Sequence, residues 1–154
     1  MNASNNSATI RIQSGEIIYS EGNKTLWCLP LSSVEIVGEY TTPNGSYIDD
    51  YFLVFITQPN KQHFHASFYA EGRNIVLNNL SQCFGNTIEC GLSNSTQFAS
   101  RCMWPPRLAG QKLFNFSPLP VLGWKRIFSF IFAPERAFDF SKPVENHLAA
   151  KLHE

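Results

Sequence analysis

The sequence predicts an α+β chain that is mostly β: an antiparallel sheet or partly open barrel of about six or seven strands, capped by one amphipathic helix. A C-terminal extension ending in a short helix follows. Three observations predict this. From Thr9 to Gly85 short apolar-rich runs alternate with turn residues. The hydrophobic period then changes from two to a helical stripe at Val76, Leu77, Leu80, Cys83 and Phe84. A second helix start is written at Ser141, with Pro143 and Glu145 just inside it.

The elements follow in order. Met1 to Ser7 is Asn/Ser-rich and reads as an unstructured tail. Thr9 to Ser20 is β-favouring but interrupted at Ser14-Gly15, which makes it one bent strand or a tight hairpin. Thr25 to Leu31 is the next strand. In Val34 to Thr42, Val34, Ile36 and Tyr40 point one way and Glu35 and Glu39 the other, the pattern of a half-buried strand. Pro43-Asn44-Gly45-Ser46 supplies residues that tolerate the positive φ of a hairpin turn. Tyr51 to Ile56 is apolar throughout and belongs in the middle of the sheet, buried on both faces. From His63 to Ala70, Phe64, Ala66, Phe68 and Ala70 alternate with His63, His65, Ser67 and Tyr69. The helical stripe comes next and Gly85 stops it. Thr87 to Cys90 is a candidate short strand, and Met103-Trp104-Pro105-Pro106 opens an irregular stretch. Val144, Leu148 and Leu152 form the stripe of the last helix. The organisation expected is therefore a tail (1–7), a β-rich domain (8–117) and an aromatic extension with a terminal helix (118–154), packed on the domain or against a partner.

Bulk composition narrows the function. A chain of 154 residues can bury enough surface to fold unaided. Charged residues are only 16% and cancel to zero, which argues against a nucleic-acid binder with its basic excess on one face. The first twenty residues hold no apolar leader. The apolar run from Leu119 to Ala133 is broken by Pro120, Lys125 and Arg126, so it does not read as a span. A cytoplasmic location is the expectation. Cys28, Cys83, Cys90 and Cys102 form no C-x-x-C pair and read as buried thiols, with Cys83 facing the core. Asn2, Asn5, Asn23, Asn44, Asn79, Asn94 and Asn115 each open an N-x-S/T sequon; the reading given to them is turn and cap chemistry.

The segment Leu29-Pro30-Leu31-Ser32-Ser33-Val34 resembles the I-P-L-S-S-I strand entry of bacterial pleckstrin-homology-like (PH-like) and GRAM-like domains. The order of strands followed by a plugging helix, over residues 9–85, is similar too. The resemblance implies a binding module for protein or lipid with no chemistry of its own. Phosphoinositide binding would need several cations around an early loop. Gln13-Ser14-Gly15-Glu16 and Glu21-Gly22-Asn23-Lys24 each carry a glutamate, and Lys24 and Arg11 are the local cations. The expected partner is therefore a protein or peptide, with neither phosphoinositide nor nucleic acid.

Motifs for chemistry are sparse. No G-x-S-x-G elbow and no phosphate-cradling loop is present. No catalytic residue and no cofactor is assigned. Asp49 and Asp50 are adjacent and would point to opposite faces of a strand. His63 and His65 share a face, so the alternative function is a small metal-dependent barrel enzyme or ligand carrier built on that pair. The main reading leaves them on a solvated sheet face. Trp124, Phe128, Phe130 and Phe132, beside Lys125 and Arg126, are the candidate partner-binding residues. The leading reading packs this cluster into the core or onto the chain's own sheet; contact with a protein partner or a second copy comes next, and a membrane surface last.

Overall fold

The computed structural model describes residues 7–43, 49–115 and 139–152. The expected tail up to Asn6, the Asn44-Gly45 turn and the aromatic cluster at 124–132 lie outside those residues.

Six antiparallel strands precede the first helix. β1 (Ala8–Gln13), β2 (Glu16–Glu21) and β3 (Lys24–Pro30) form a three-stranded meander. Ser14-Gly15 closes its first hairpin with φ of 52° and 78°. Two consecutive positive φ values match the twist of the flanking strands, so the Thr9–Ser20 run is a hairpin. A single 3-10 turn, Leu31–Ser33, carries the chain out of this sheet. It is tied back by Leu31 N–H donating to Gly15 O.

The second sheet holds β4 (Val34–Thr41), β5 (Tyr51–Thr57), β6 (His63–Ser67) and β7 (Ala99–Trp104) in the order β6-β5-β4-β7. The expectation for Tyr51–Ile56 holds: β5 is internal, and all but Phe52 of these residues are buried. α1 (Arg73–Phe84) lies between β6 and β7 in sequence. Gly85 ends it in the left-handed region. A short pair, β8 (Phe114–Asn115) with β9 (Asp139–Phe140), leads into α2 (Lys142–Lys151). The fold class is as expected, mostly β with antiparallel sheets that do not close into a barrel.

Two apolar clusters lie on opposite faces of the second sheet. One joins Ile10 and Ile17 of the meander to Leu53 and Phe55 of β5 and to Val76, Leu77 and Leu80 of α1. The helix thus locks onto the sheets as its stripe requires, each buried side chain contributing about 1.5–3 kcal/mol. Its start is fixed by Gly72, whose φ of 89° precedes the first turn. A Cβ there would stand 2.3 Å from Ile10 O. Glu71 pairs with β1 just before that contact, at Ala8 O and Ile10 N–H. The second cluster sets Ile36, Val54 and Ile56 against Leu113, Phe114, Val144 and Leu148. The second sheet is therefore covered on both faces.

Several expectations are corrected. β4 is buried at seven of its eight positions, and Glu39 is fully buried. A register shift between Val34 and Ile36 places Val34 with Val37 on the α1 side and Ile36 with Tyr40 on the other. Cys83 is exposed, not core-facing: Phe84 takes the last contact position by stacking on Trp104 at 4.2 Å. Cys28 is also exposed, on the outer side of the meander opposite Ile18. Residues 87–90 form no strand, whereas Met103-Trp104 completes β7. Leu152 is 53% exposed, and the buried stripe of α2 is Val144, His147 and Leu148. α2 begins at Ser141 as expected, but the Ser141 hydroxyl donates to Lys112 O instead of capping the helix.

Candidate functional site

The two larger sheets have four edges, and an uncovered edge is a template for another strand. Two are covered by this chain's own backbone. On β1, Ile10 N–H donates to Glu71 O and Glu71 N–H to Ala8 O, both at 2.9 Å. On β7, Cys102 N–H donates to Gln111 O at 2.8 Å, and Gly110 N–H to Cys102 O at 2.9 Å. The remaining edges, β3 and β6, meet through side chains. Trp27 Nε1–H donates to His65 O at 2.8 Å, and Ser67 N–H donates to the Tyr19 hydroxyl at 3.2 Å. The Trp27 ring packs beside Phe64, centroids 5.6 Å apart. No ladder among the described residues joins these strands.

A cleft of about 280 Å³ opens at the end of this seam, lined by β3, the Leu31–Ser33 turn and the β5–β6 connection. Its polar groups are Ser33, Thr57, Gln58, Asn60 and Gln62; its apolar walls include Leu29, Pro30 and Phe64. No charged side chain among the described residues lines it. Neutral hydroxyls and amides both donate and accept, which suits a peptide backbone better than a phosphate. Gln58 is anchored from behind, its Nε2–H donating to Leu148 O of α2 at 2.9 Å.

His63 and His65 lie on the opposite face of β6 from Phe64. The structure corrects the solvated-face reading. Both rings are half-buried, and His63 stands 6.3 Å from the Phe114 ring and 6.2 Å from that of Phe140. The two imidazoles meet, Nδ1 of His63 at 2.5 Å from Nε2 of His65. The Tyr40 hydroxyl closes on Nδ1 of His65 at 2.8 Å. Burial, and then the neighbouring His63, lower the His65 pKa to about 3, so this ring is neutral at ordinary pH. Among the described residues no third His, Cys, Asp or Glu joins the pair.

Asp49 and Asp50 form no joint site; Asp50 accepts from the Tyr69 hydroxyl at 2.8 Å. Trp124, Phe128, Phe130 and Phe132 lie outside the described residues. Sequence reasoning missed the seam because Trp27 and His65 are far apart in the chain. The signal available was a Trp on a short strand, an aromatic with one polar handle to place.

No helix among the described residues is long and apolar enough to cross a membrane. Comparison of the chain with protein-family models, curated proteins and solved structures finds no match.

Proposed function

We propose that this chain is a non-catalytic binding module that takes an extended peptide along the β3–β6 seam, with one peptide side chain entering the cleft. The observation that carries this reading is the contrast between edges. Among the described residues, β1 and β7 are covered by main chain, whereas β6 meets the meander only through the side chains of Trp27 on β3 and Tyr19 on β2. Strand addition at such an edge replaces the Trp27 and Tyr19 contacts to His65 O and Ser67 N–H with main-chain hydrogen bonds, and a side-chain pocket supplies selectivity. A cleft of about 280 Å³ is at the small end for a ligand site and holds little more than one side chain. Its neutral lining disfavours phosphoinositide and nucleic acid as ligands.

The PH-like resemblance of Leu29–Val34 belongs to the same reading, since those residues form the turn between the sheets beside the cleft. A cytoplasmic setting fits the exposed thiols of Cys28 and Cys83.

The test is selection of peptides from a displayed library on the immobilised chain, followed by amide chemical-shift mapping. Support would be perturbation confined to residues 24–33 and 57–67 and at least tenfold weaker binding in Asn60→Lys, at an exposed position of the cleft lining. Selected peptides that map elsewhere, or no peptide at all, would overturn the proposal.

A further inference from the structure

We propose that α2 is an acid-released clamp: protonation of His147 frees this helix from the second sheet and, with it, the hold of Leu148 on the cleft residue Gln58. The regulatory meaning rests on the cleft being the peptide site; the release itself does not.

The geometry of α2 carries the inference. His147 lies on the docking face, beside Val144 and Leu148, and is 6% exposed. Neither of its ring nitrogens has a hydrogen-bond partner among the described residues. A neutral imidazole buried in this way leaves a donor and an acceptor unmet. An imidazolium would add a buried charge with both N–H groups unmet, which costs far more. Water satisfies both once the helix leaves, so a proton favours the undocked state.

The surrounding charges act in the same sense. Glu35 of β4 faces the ring at 3.8 Å and attracts a proton to it. Its carboxylate is already held by Lys151 of α2 at 3.1 Å. Burial first, then Arg107 from the turn after β7 and Lys151, outweigh that attraction and depress the His147 pKa. Docking is therefore full above the free-imidazole value of about 6.5 and is lost as pH falls below it.

Two features make the release local and give it a target. α2 has only ten residues, too few to be helical without its seat on Ile36, Val54 and Ile56. Leu148 O accepts from Gln58 Nε2–H at 2.9 Å, and Gln58 lines the cleft. When α2 leaves, that side-chain amide loses its anchor and the cleft loses a fixed wall.

The experiment is amide exchange and side-chain amide NMR on the full chain at pH 7.5 and 5.0, with no peptide present. Exchange in α2, corrected for its intrinsic pH dependence, should quicken about threefold or more relative to β5. The Gln58 side-chain amide should shift along the same pH curve. His147→Leu should abolish both responses. Arg107→Gln, at an exposed position that leaves the core untouched, should shrink them, and it decides the matter if His147→Leu does not fold. An α2 that exchanges in step with β5 at both pH values, or a response undiminished by either substitution, would overturn the clamp. Gln58 signals that stay fixed while α2 opens would overturn its link to the cleft. Selected peptides that map away from the seam would sink the peptide reading and leave the release standing.

Discussion

Arg101 of β7 reaches across to the fully buried carboxylate of Glu39 on the neighbouring strand, Nε to Oε1 at 2.9 Å. Gly91 N–H donates to the same oxygen at 2.7 Å, and the Tyr51 hydroxyl donates to Oε2. Strands β4, β5 and β7 and the 89–92 segment are thus tied to one side chain. Removing one partner of a buried ion pair strands the other charge, at a cost of 3–5 kcal/mol. Arg101 keeps 29% side-chain exposure, so Arg101→Ala should cost about 3 kcal/mol, at the low end of that range. Urea unfolding monitored by circular dichroism checks this; a loss below about 1 kcal/mol would show the network to be dispensable.

Acidification should destabilise the fold through two imidazoles. Burial, with Arg107 and then Lys151 adding to it, lowers the His147 pKa against the opposing pull of Glu35. His65 is lowered to about 3. For a base with a depressed folded pKa, the unfolded chain takes up the proton first. Stability is therefore full above the unfolded value near 6.5 and is lost as pH falls below it. At pH 5 the His65 contribution alone is up to about 2 kcal/mol, reduced by its partial exposure. The urea midpoint should fall between pH 7.5 and 5.0, and by less in His147→Gln. A midpoint that rises on acidification would contradict both assignments.

Gly72→Ala should loosen α1 from β1. The new Cβ would meet Ile10 O at 2.3 Å on a backbone with φ of 89°. The strain is on the order of 1–3 kcal/mol. Hydrogen exchange should quicken at the Ile10 and Glu71 amides before it does in β5. Unchanged protection at both amides would argue against this contact as the hinge of the helix.

Trp27→Phe keeps the ring in the cluster and removes the donor to His65 O. A loss of about 1 kcal/mol is expected, with faster exchange along β6. If β6 stays as protected as in the parent chain, the indole bridge is not what holds the seam.

Thiol labelling should divide the cysteines. Cys28 and Cys83 are exposed and should react with an aromatic disulfide reagent in the native state. Cys102 is buried, which pushes its thiol up to about 12; Cys90 is raised to about 11 by burial and by Glu39. Both should wait for denaturant. Two fast and two slow equivalents fit this; four fast ones would not.

What the sequence made legible was local. Tyr51 to Ile56 announced a central strand because every position is apolar. The helix declared itself by period, and the last helix by Ser141 and Pro143. What stayed hidden depends on residues distant in the chain. Glu39 looked like a solvent-facing residue because its partner, Arg101, sits in a stretch with no clear pattern of its own. The shift between Val34 and Ile36 breaks the alternation that assigned the faces of β4. His147 lay outside the apolar stripe drawn through Leu152, although it shares the buried face with Val144 and Leu148. His63 and His65 were rightly placed on one side of β6. That this side is roofed by Phe114 and Phe140 follows from β8 and β9, too short to be read from composition.

The late position of β7 has a consequence for biogenesis. Gly38 is flanked by Val54 on one side and by Cys102 on the other. As the chain leaves the ribosome, the meander, β5 and β6 are all synthesised while the far rim of β4 still lacks its neighbour. Until Ala99–Trp104 emerges, a sticky apolar ribbon faces the crowded cell, the condition under which nascent chains associate wrongly. Helper chaperones on that rim would matter most at that moment.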